Sequence, residues 1–466
     1  MSSDDEHPDS DLFHPLGEAA EKDYRAMLEE TEYDADLGME MARDAMRLNK
    51  GEITEEEFYD RYHEDVLEEF GEDSRPMAER VEQAREEEGR LERALSRFGD
   101  DEDSRRDAMK KMGAGAAAVG LGAWGTAESG DDSEPNVAAA QEDEGDEGGG
   151  DGTQWGMALD LEVCDGCLSC VVACNQEHNW NEGANWMYIL AYDDGTVESP
   201  EADEFEDTRD FNYLIRPCQH CTDAPCEKVC PTTARHTREE GGLVLTDYDV
   251  CIGCRYCQVA CPYGVNYFQW EEPYVDAPSE DLGEDMMYDE RGRWVSGRGP
   301  RGVMQKCIFD PARQDGNLGE DMVGTTACEQ ACPPGAIQFG DMNDPDSDPQ
   351  QYIENVPLAR AREEDPDDQE LQDAITVLKE GEDAGGMTQE EAERLLRGEY
   401  GSADSTFKLL EEYNTDPNVI YIGNEPGPNA EQVPGPVAYD DVGQVDNEKN
   451  VLDDRTVNEG LEGLSL

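Results

Sequence analysis

Where the cysteines lie constrains this chain more than anything else in it. All fifteen fall between Cys164 and Cys332, in four groups. The groups read Cys164-x2-Cys167-x2-Cys170-x3-Cys174, Cys218-x2-Cys221-x4-Cys226-x3-Cys230-Pro231, Cys251-x2-Cys254-x2-Cys257-x3-Cys261-Pro262, and Cys307 followed by Cys328-x3-Cys332-Pro333. Three thiolates on one tight loop can hold three irons of a cubane iron–sulfur cluster, and a fourth, one helical turn later, reaches a different cluster. Nearly four copies of the run imply nearly four clusters, and so a conductor of electrons.

Other uses of cysteine fit the pattern less well. Disulfides would scatter cysteines over loops instead of repeating one run. Zinc takes two CxxC pairs per ion, and a third cysteine at the same short spacing has no tetrahedral role. Thiols awaiting clusters must stay reduced, so assembly belongs in a reducing compartment. His178, His220 and His236 lie near the cysteines and are expected to pack or hydrogen-bond, since the cysteine sets already supply ligands. Trp155, Trp180 and Trp186 are expected to pack around the first motif. Arg216, Arg255 and Lys306 either offset cluster charge or form ordinary surface pairs.

A length of 466 residues argues for more than one domain. There are 114 acidic against 36 basic side chains, a net charge of −78. No basic footprint for nucleic acid exists. The acidity runs through the cysteine-bearing core as well as the tails. It suits a surface adapted to molar salt, where the Debye length falls to about 3 Å and self-repulsion costs little. An extreme halophile is the expected source.

Residues 1–103 hold no cysteine and read as an acidic helical extension. Apolar residues recur at helical spacing over 16–48 and 55–98, with Phe58, Tyr62, Val66 and Phe70 as examples, so amphipathic helices are expected there. The pattern carries no chemistry of its own. Residues 104–127 open with Arg105-Arg106 and continue into a short Gly/Ala-rich apolar run ending in small residues, features of a twin-arginine export signal. A vestigial segment or a linker is the alternative. Residues 128–152 are a Gly/acidic linker. The cluster domain spans 153–345, with short strands expected at Met157–Leu161, Trp186–Leu190 and Leu243–Leu245. Residues 346–406 read as an acidic surface insertion with one helix near Gln389–Arg397. A final segment, 407–466, is expected to give a helix and then a strand by residue 423, with an extended tail. Gly-x-Gly runs within 113–125 lack the strand and acidic partner of a nucleotide fingerprint.

The runs WGMALDLEVCDGCLSCVVACNQEHN, RPCQHCTDAPCEKVCPTTA, GGLVLTDYDVCIGCRYCQVACPYGV and RGVMQKCIFDPAR, with ACEQACPPGAIQFGDMNDPDS, resemble the four-cluster iron–sulfur (beta) subunits of the dimethyl-sulfoxide-reductase superfamily. The later FKLLEEYNTDPNVIYIG resembles that family's closing segment. The resemblance covers roughly 153–345 and 407–423. It implies an α+β fold of tandem interleaved ferredoxin-like modules carrying an N-terminal helical extension. It further implies that Cys164, Cys167 and Cys170 share a cluster with Cys332, while Cys174 completes the fourth-motif cluster. Cys218, Cys221 and Cys226 would pair with Cys261, and Cys251, Cys254 and Cys257 with Cys230. The implied role is electron relay between a quinone-reactive membrane subunit and a molybdopterin catalytic subunit in anaerobic respiration, with no catalytic residue in this chain. Membrane association on the extracytoplasmic face after twin-arginine export would follow, with the cytoplasmic face as the alternative. A hydrogenase-associated subunit and a free-standing polyferredoxin remain as other readings.

One position departs from the family pattern. The fourth motif normally reads K-C-x2-C, and here Lys306-Cys307-Ile308-Phe309-Asp310 places a carboxylate where a thiolate is expected. A carboxylate oxygen is a harder partner for cluster iron than sulfur. Three outcomes are open: an Asp310-ligated 4Fe–4S cluster, a 3Fe–4S cluster lacking that iron, or no fourth cluster. The expected complement is three 4Fe–4S clusters plus one 3Fe–4S or Asp-ligated 4Fe–4S cluster.

Overall fold

The computed structural model describes His14 and residues 17–75, 152–180, 185–194, 208–270, 287–289, 291–297, 299–381, 386–401, 405–427 and 430–445. The expected export segment at 104–127, nearly all of the linker at 128–152, and the helical pattern beyond residue 75 lie outside them.

The N-terminal pattern forms three helices, α1 (Gly17–Glu29), α2 (Ala35–Asn49) and α3 (Glu55–Phe70). Asp34 starts α2 by accepting from the N–H groups of Asp36 and Leu37, and Thr54 starts α3 through a reciprocal capping box with Glu57. Gly71, at φ 82°, ends α3 in a left-handed turn that glycine adopts without strain. Tyr24, Leu28, Met41, Phe58 and Val66 bury the inner faces of these helices.

The cluster domain begins with β1 (Trp155–Asp160) and α4 (Ser169–His178), followed by β2 (Tyr188–Asp193) and β3 (Asn212–Arg216). Next come α5 (Pro225–Lys228), the hairpin β4 (Arg235–Thr237) and β5 (Val244–Thr246), and α6 (Tyr256–Val259). The strands β6 (Tyr267–Phe268) and β7 (Met304–Gln305) pair antiparallel, and α7 (Pro311–Gln314), α8 (Ala327–Gln330) and β8 (Ile337–Asp341) follow. The strands expected near 157–161, 186–190 and 243–245 are present within three residues as β1, β2 and β5.

Residues 346–406 carry more structure than one helix. They form α9 (Asp348–Glu354), α10 (Val356–Glu364), α11 (Gln369–Glu380) and α12 (Gln389–Tyr400). The last three enclose a core around Ala361, Ala374, Val377, Ala392 and Leu396, while Tyr352 of α9, with Val356 and Ala359 of α10, packs on Ala158 and Ile422 of the main sheet. Beyond them lie β9 (Thr406–Phe407), a single 3-10 turn at Glu411–Tyr413 where a helix was expected, and β10 (Val419–Ile422). The expected extended tail supplies β11 (Glu431–Val433) and a 3-10 turn that buries Tyr439.

Strand order shows how distant segments meet. The main sheet runs β8-β1-β10-β9, so Met157 stands between Phe339 and Val419. The first and fourth cysteine motifs are thereby drawn to one sheet. A second sheet, β11-β2-β3, takes one edge strand from the chain's tail. Arg360 of α10 locks the insertion to β1, bonding both carboxylate oxygens of buried Asp160 at 2.7 and 2.8 Å.

The N-terminal helices pack on the second and third motifs. Helix α2 lies against α5 and α6. Tyr256 donates its hydroxyl to the Asp34 carbonyl at 2.6 Å, and the Asn49 amide donates to the Asp223 carbonyl at 2.8 Å. His14 Nε2 meets the Cys261 carbonyl at 2.9 Å. Among the described residues no helix is long and apolar enough to cross a membrane.

Candidate metal centres

All four motifs use one loop shape. The residue two after the first cysteine is left-handed in each: Gly166 (φ 65°), His220 (43°), Gly253 (68°) and Phe309 (56°). Such a turn lets successive backbone N–H groups face a common anion. Gly253 is obligatory for space as well, because a Cβ there would sit 2.1 Å from the Gly302 carbonyl oxygen. The fourth motif keeps the loop although Asp310 replaces its second cysteine.

All fifteen cysteines are free thiols, and all but Cys167, Cys251 and Cys332 are buried. Their neighbours come from other motifs. Cys164 is raised to about 12, by burial first and then by Cys332 and Cys167 among others. Cys170 is pushed up by burial and by Cys164, Cys328 and Cys332. Burial also raises Cys174, and its charged neighbours are Cys307, Cys328 and Asp310. Cys221 is raised by burial, then by Cys218 and Cys261, and Cys226 by burial with Cys261, Cys218 and Cys257 following. Cys254 is raised by burial and by Cys230, Cys257 and Cys251. The cysteines therefore gather as 164/167/170/332, 174/307/328 with Asp310, 218/221/226/261 and 230/251/254/257.

The donor set fits iron–sulfur clusters. Sulfur is almost the sole donor type, and thiols raised by burial first and by one another second can ionise together only around a positively charged body. Among the described residues no three His, Cys, Asp or Glu side chains converge tightly enough for a single metal ion. Ligands of a cubane stand around it, farther apart. Backbone N–H groups already point at sulfur: His220 to Cys218, Arg235 to Cys230, Met304 to Cys251 and Ala336 to Cys332, at 3.2–3.5 Å.

Buried cations thread between the groups. Lys306 reaches the carbonyls of Val244 and Cys307. Arg216 donates to the Tyr263 carbonyl, whereas Arg255 stacks on Phe268 and Trp270 at 4.0 and 4.1 Å. Arg235, which the motifs do not point to, is the notable addition. It is 1% exposed, and its Nη2 donates to Asn266 at 2.7 Å and approaches the Cys257 sulfur at 3.7 Å. Its Nε and Nη1 groups are buried without a hydrogen-bond partner. Only its helical neighbours Cys226 and Cys257, seen in three dimensions, reveal the role.

The histidines take bonding roles. His220 donates from Nε2 to the Cys307 carbonyl at 3.1 Å, accepts at Nδ1 from the Val244 N–H, and stacks on Phe309 at 3.8 Å. It thus ties the second motif to the fourth. His236 meets the Ala234 carbonyl and Arg291. Trp186 packs on His178, Trp155 on Phe339, and Trp180 is buried.

Asp310 lies with Cys174, Cys307, Cys328 and His178 around one cavity. Its Oδ1 bonds His178 Nε2, and its Oδ2 accepts from the Ala327 N–H at 2.8 Å. Burial alone would raise this carboxyl, but His178, the Ala327 N–H and Arg313 outweigh it and hold Asp310 below the usual carboxylate range.

Such an arrangement of buried thiols on repeated loops defines an iron–sulfur electron carrier. Residues 209–277 match the 4Fe–4S dicluster domain family, and residues 14–78 match a family described as the N-terminal region of 4Fe–4S ferredoxin iron–sulfur binding. The second match gives the helical extension a counterpart that its own pattern did not suggest. A protein of Halobacterium salinarum, named for the iron–sulfur subunit of a dimethyl sulfoxide reductase, is 40% identical over 205 residues, 43% of this chain and 71% of that protein. The iron–sulfur cluster-binding subunit of a menaquinone reductase from Nitratidesulfovibrio vulgaris is 38% identical over 41% of this chain and 77% of its own. The arsenate respiratory reductase iron–sulfur subunit of a Shewanella species is 35% identical over 42% and 86%. The chain belongs to the family of iron–sulfur subunits of respiratory reductases in the dimethyl-sulfoxide-reductase superfamily. It is an electron-transfer subunit, and the catalytic reaction of such a complex belongs to another chain.

Proposed function

We propose that this chain relays electrons through four clusters between a quinone-reactive membrane subunit and a molybdopterin catalytic subunit in anaerobic respiration. Clusters held by these ligands would supply one-electron storage at each station. The ligand sets are the four gatherings described above, with the fourth cysteine of each run exchanged between paired motifs as two interleaved ferredoxin-like modules. Three sets would hold 4Fe–4S clusters. The set of Cys174, Cys307, Cys328 and Asp310 would hold a 3Fe–4S or an Asp-ligated 4Fe–4S cluster.

The observation that carries the reading is the order in which neighbouring groups sense one another's charge. Cys226 is close enough to Cys257 to feel its charge, Cys307 to Cys218, and Cys170 to Cys328. The four sets therefore form a line. Its two inner sets are wholly buried, whereas Cys251 at one end and Cys167 and Cys332 at the other are partly exposed. A line of insulated stations with accessible ends suits a relay between two partners. Backbone N–H groups and Arg235 would stabilise the added charge, and the buried setting would exclude water.

Twin-arginine export, resting on residues 104–127, and association with the extracytoplasmic face of the membrane are part of the proposal, with the cytoplasmic face as the alternative. Anaerobic purification from native membranes at high salt tests the whole reading. Co-elution with a large molybdenum subunit and iron near four clusters per chain is the expected result. Recovery alone, brown but free of molybdenum, would instead make it a free-standing polyferredoxin.

A further inference from the structure

We propose that His178 fixes the fourth site as a three-iron centre by occupying the carboxylate of Asp310. The inference rests on Cys174, Cys307 and Cys328 being cluster ligands. Where the other motifs present a second thiolate, this loop presents a carboxylate whose two oxygens are already engaged. Oδ1 is bonded by His178 Nε2, and Oδ2 by the Ala327 N–H at the start of α8, with Arg313 Nε 3.7 Å away.

The partners of Asp310 are themselves held. His178 ends α4, is buried, and lies against Trp186 with ring centroids 4.9 Å apart. Trp186 is in turn tied to Gln305 at 3.2 Å. Arg313 is fixed by Glu177, Thr325 and Gln330 at 2.8–3.1 Å. Phe309 and Asp310 are both left-handed, at φ 56° and 51°, which aims the carboxylate into this cradle. A fourth iron would have to draw the carboxylate out of these buried hydrogen bonds or share its oxygens with them, and oxygen is already the weaker partner for cluster iron. His178 is thus a positioning residue: it acts on the cluster through Asp310.

Filling the site is a defined reaction. An oxidised 3Fe–4S cluster of charge +1, one Fe²⁺ ion and one electron give a 4Fe–4S cluster of charge +2. Iron(II) with dithionite supplies both. The experiment uses the intact complex, purified anaerobically. Its three-iron EPR signal is recorded after oxidation, before and after incubation with those two reagents, with iron counted per chain. The expected result is that the native signal survives the incubation. His178→Phe, which keeps an aromatic ring against Trp186 but has no donor, should lose the signal at least tenfold. His178→Gln, which restores an N–H donor, should retain most of it, and Asp310→Cys should abolish it by giving a four-iron site. A native signal that disappears on incubation, or one absent from the outset with sixteen irons per chain, overturns the proposal without using any variant. So does a His178→Phe signal as resistant as the native one. Failure of the relay reading itself looks different, since the chain would then purify alone and free of molybdenum, whatever its EPR signals.

Discussion

Arg235 places its Nη2 group 3.7 Å from the sulfur of Cys257 while sitting beside Cys226 of the neighbouring thiol set. Burial alone would make the guanidinium easier to deprotonate, but Cys257 and Cys226 outweigh burial and keep it charged. A fixed cation between two stations favours the reduced, more negative state of both. Replacing it by Leu should lower the potentials of the clusters on either side. A charged hydrogen bond is worth about 1.5–3 kcal/mol, which is on the order of 65–130 mV at 59 mV per tenfold for one electron. An EPR-monitored redox titration measures this, and unchanged potentials would remove Arg235 from the electrostatics of the relay.

Gly38 separates helix propensity from packing. In the interior of α2, alanine would be preferred by about 1 kcal/mol on propensity alone. A Cβ at this position would lie 2.6 Å from the Tyr256 ring. Overpacking costs about 1–3 kcal/mol, so Gly38→Ala should destabilise the protein and loosen the N-terminal helices from the third motif. Denaturant unfolding and the rate of cluster bleaching in air report the two effects. A more stable variant would show that α2 does not press on Tyr256.

The Arg360–Asp160 pair joins the insertion to the main sheet. Asp160 also accepts from Tyr352 at 3.0 Å, and its side chain is 1% exposed. Arg360→Met leaves that carboxylate buried and unpaired, a loss of about 3–5 kcal/mol. The double variant with Asp160→Leu should recover much of it, because no lone charge remains. Equilibrium unfolding of the single and double variants is the check, and strictly additive losses would argue against the pairing.

His236 should impose an acid limit. Burial, ahead of every other cause, holds it down to about 4. Between there and the ordinary value near 6.5, the unfolded chain binds a proton that the folded chain refuses. Stability is therefore complete above that range and falls as pH drops through it, by about 3 kcal/mol at most. Neutral Nε2 accepts from Arg291 at 2.9 Å, so protonation also breaks that bond. Comparing pH–stability curves of the native chain and His236→Leu isolates the contribution; parallel curves would deny it.

Salt should matter strongly at a net charge of −78. Dilution from 1 M to 0.1 M lengthens the Debye length from about 3 Å to about 10 Å and brings surface carboxylates into mutual repulsion. Melting temperature is expected to fall steadily over that range. A flat profile would contradict adaptation to salt.

The cysteine runs were legible because cluster chemistry is local: three ligands must come from one short loop, and only a few spacings allow it. Short strands near Met157 and Val244 were legible for a similar reason, since alternation and turn residues act over a few positions. Of the insertion only the helix at Gln389–Tyr400 was legible; the other three bury their apolar faces against partners distant in sequence, Ala158 and Ile422 of the main sheet or Ala392 and Leu396. The N-terminal helices showed their pattern but not their purpose, as nothing in residues 17–49 announces that Gly38 will meet Tyr256.

By itself the sequence determined the type of donor, the loop spacing of the four motifs and the odd carboxylate at Asp310, because these depend on residue identity and spacing. Tertiary structure alone decided that Arg235 lies beside both Cys257 and Cys226 and that His178 holds Asp310. His178 and Asp310 are 132 residues apart, and Met157 meets both Phe339 and Val419. Contacts across such separations come from sheet pairing and burial of the whole chain, which no local pattern encodes.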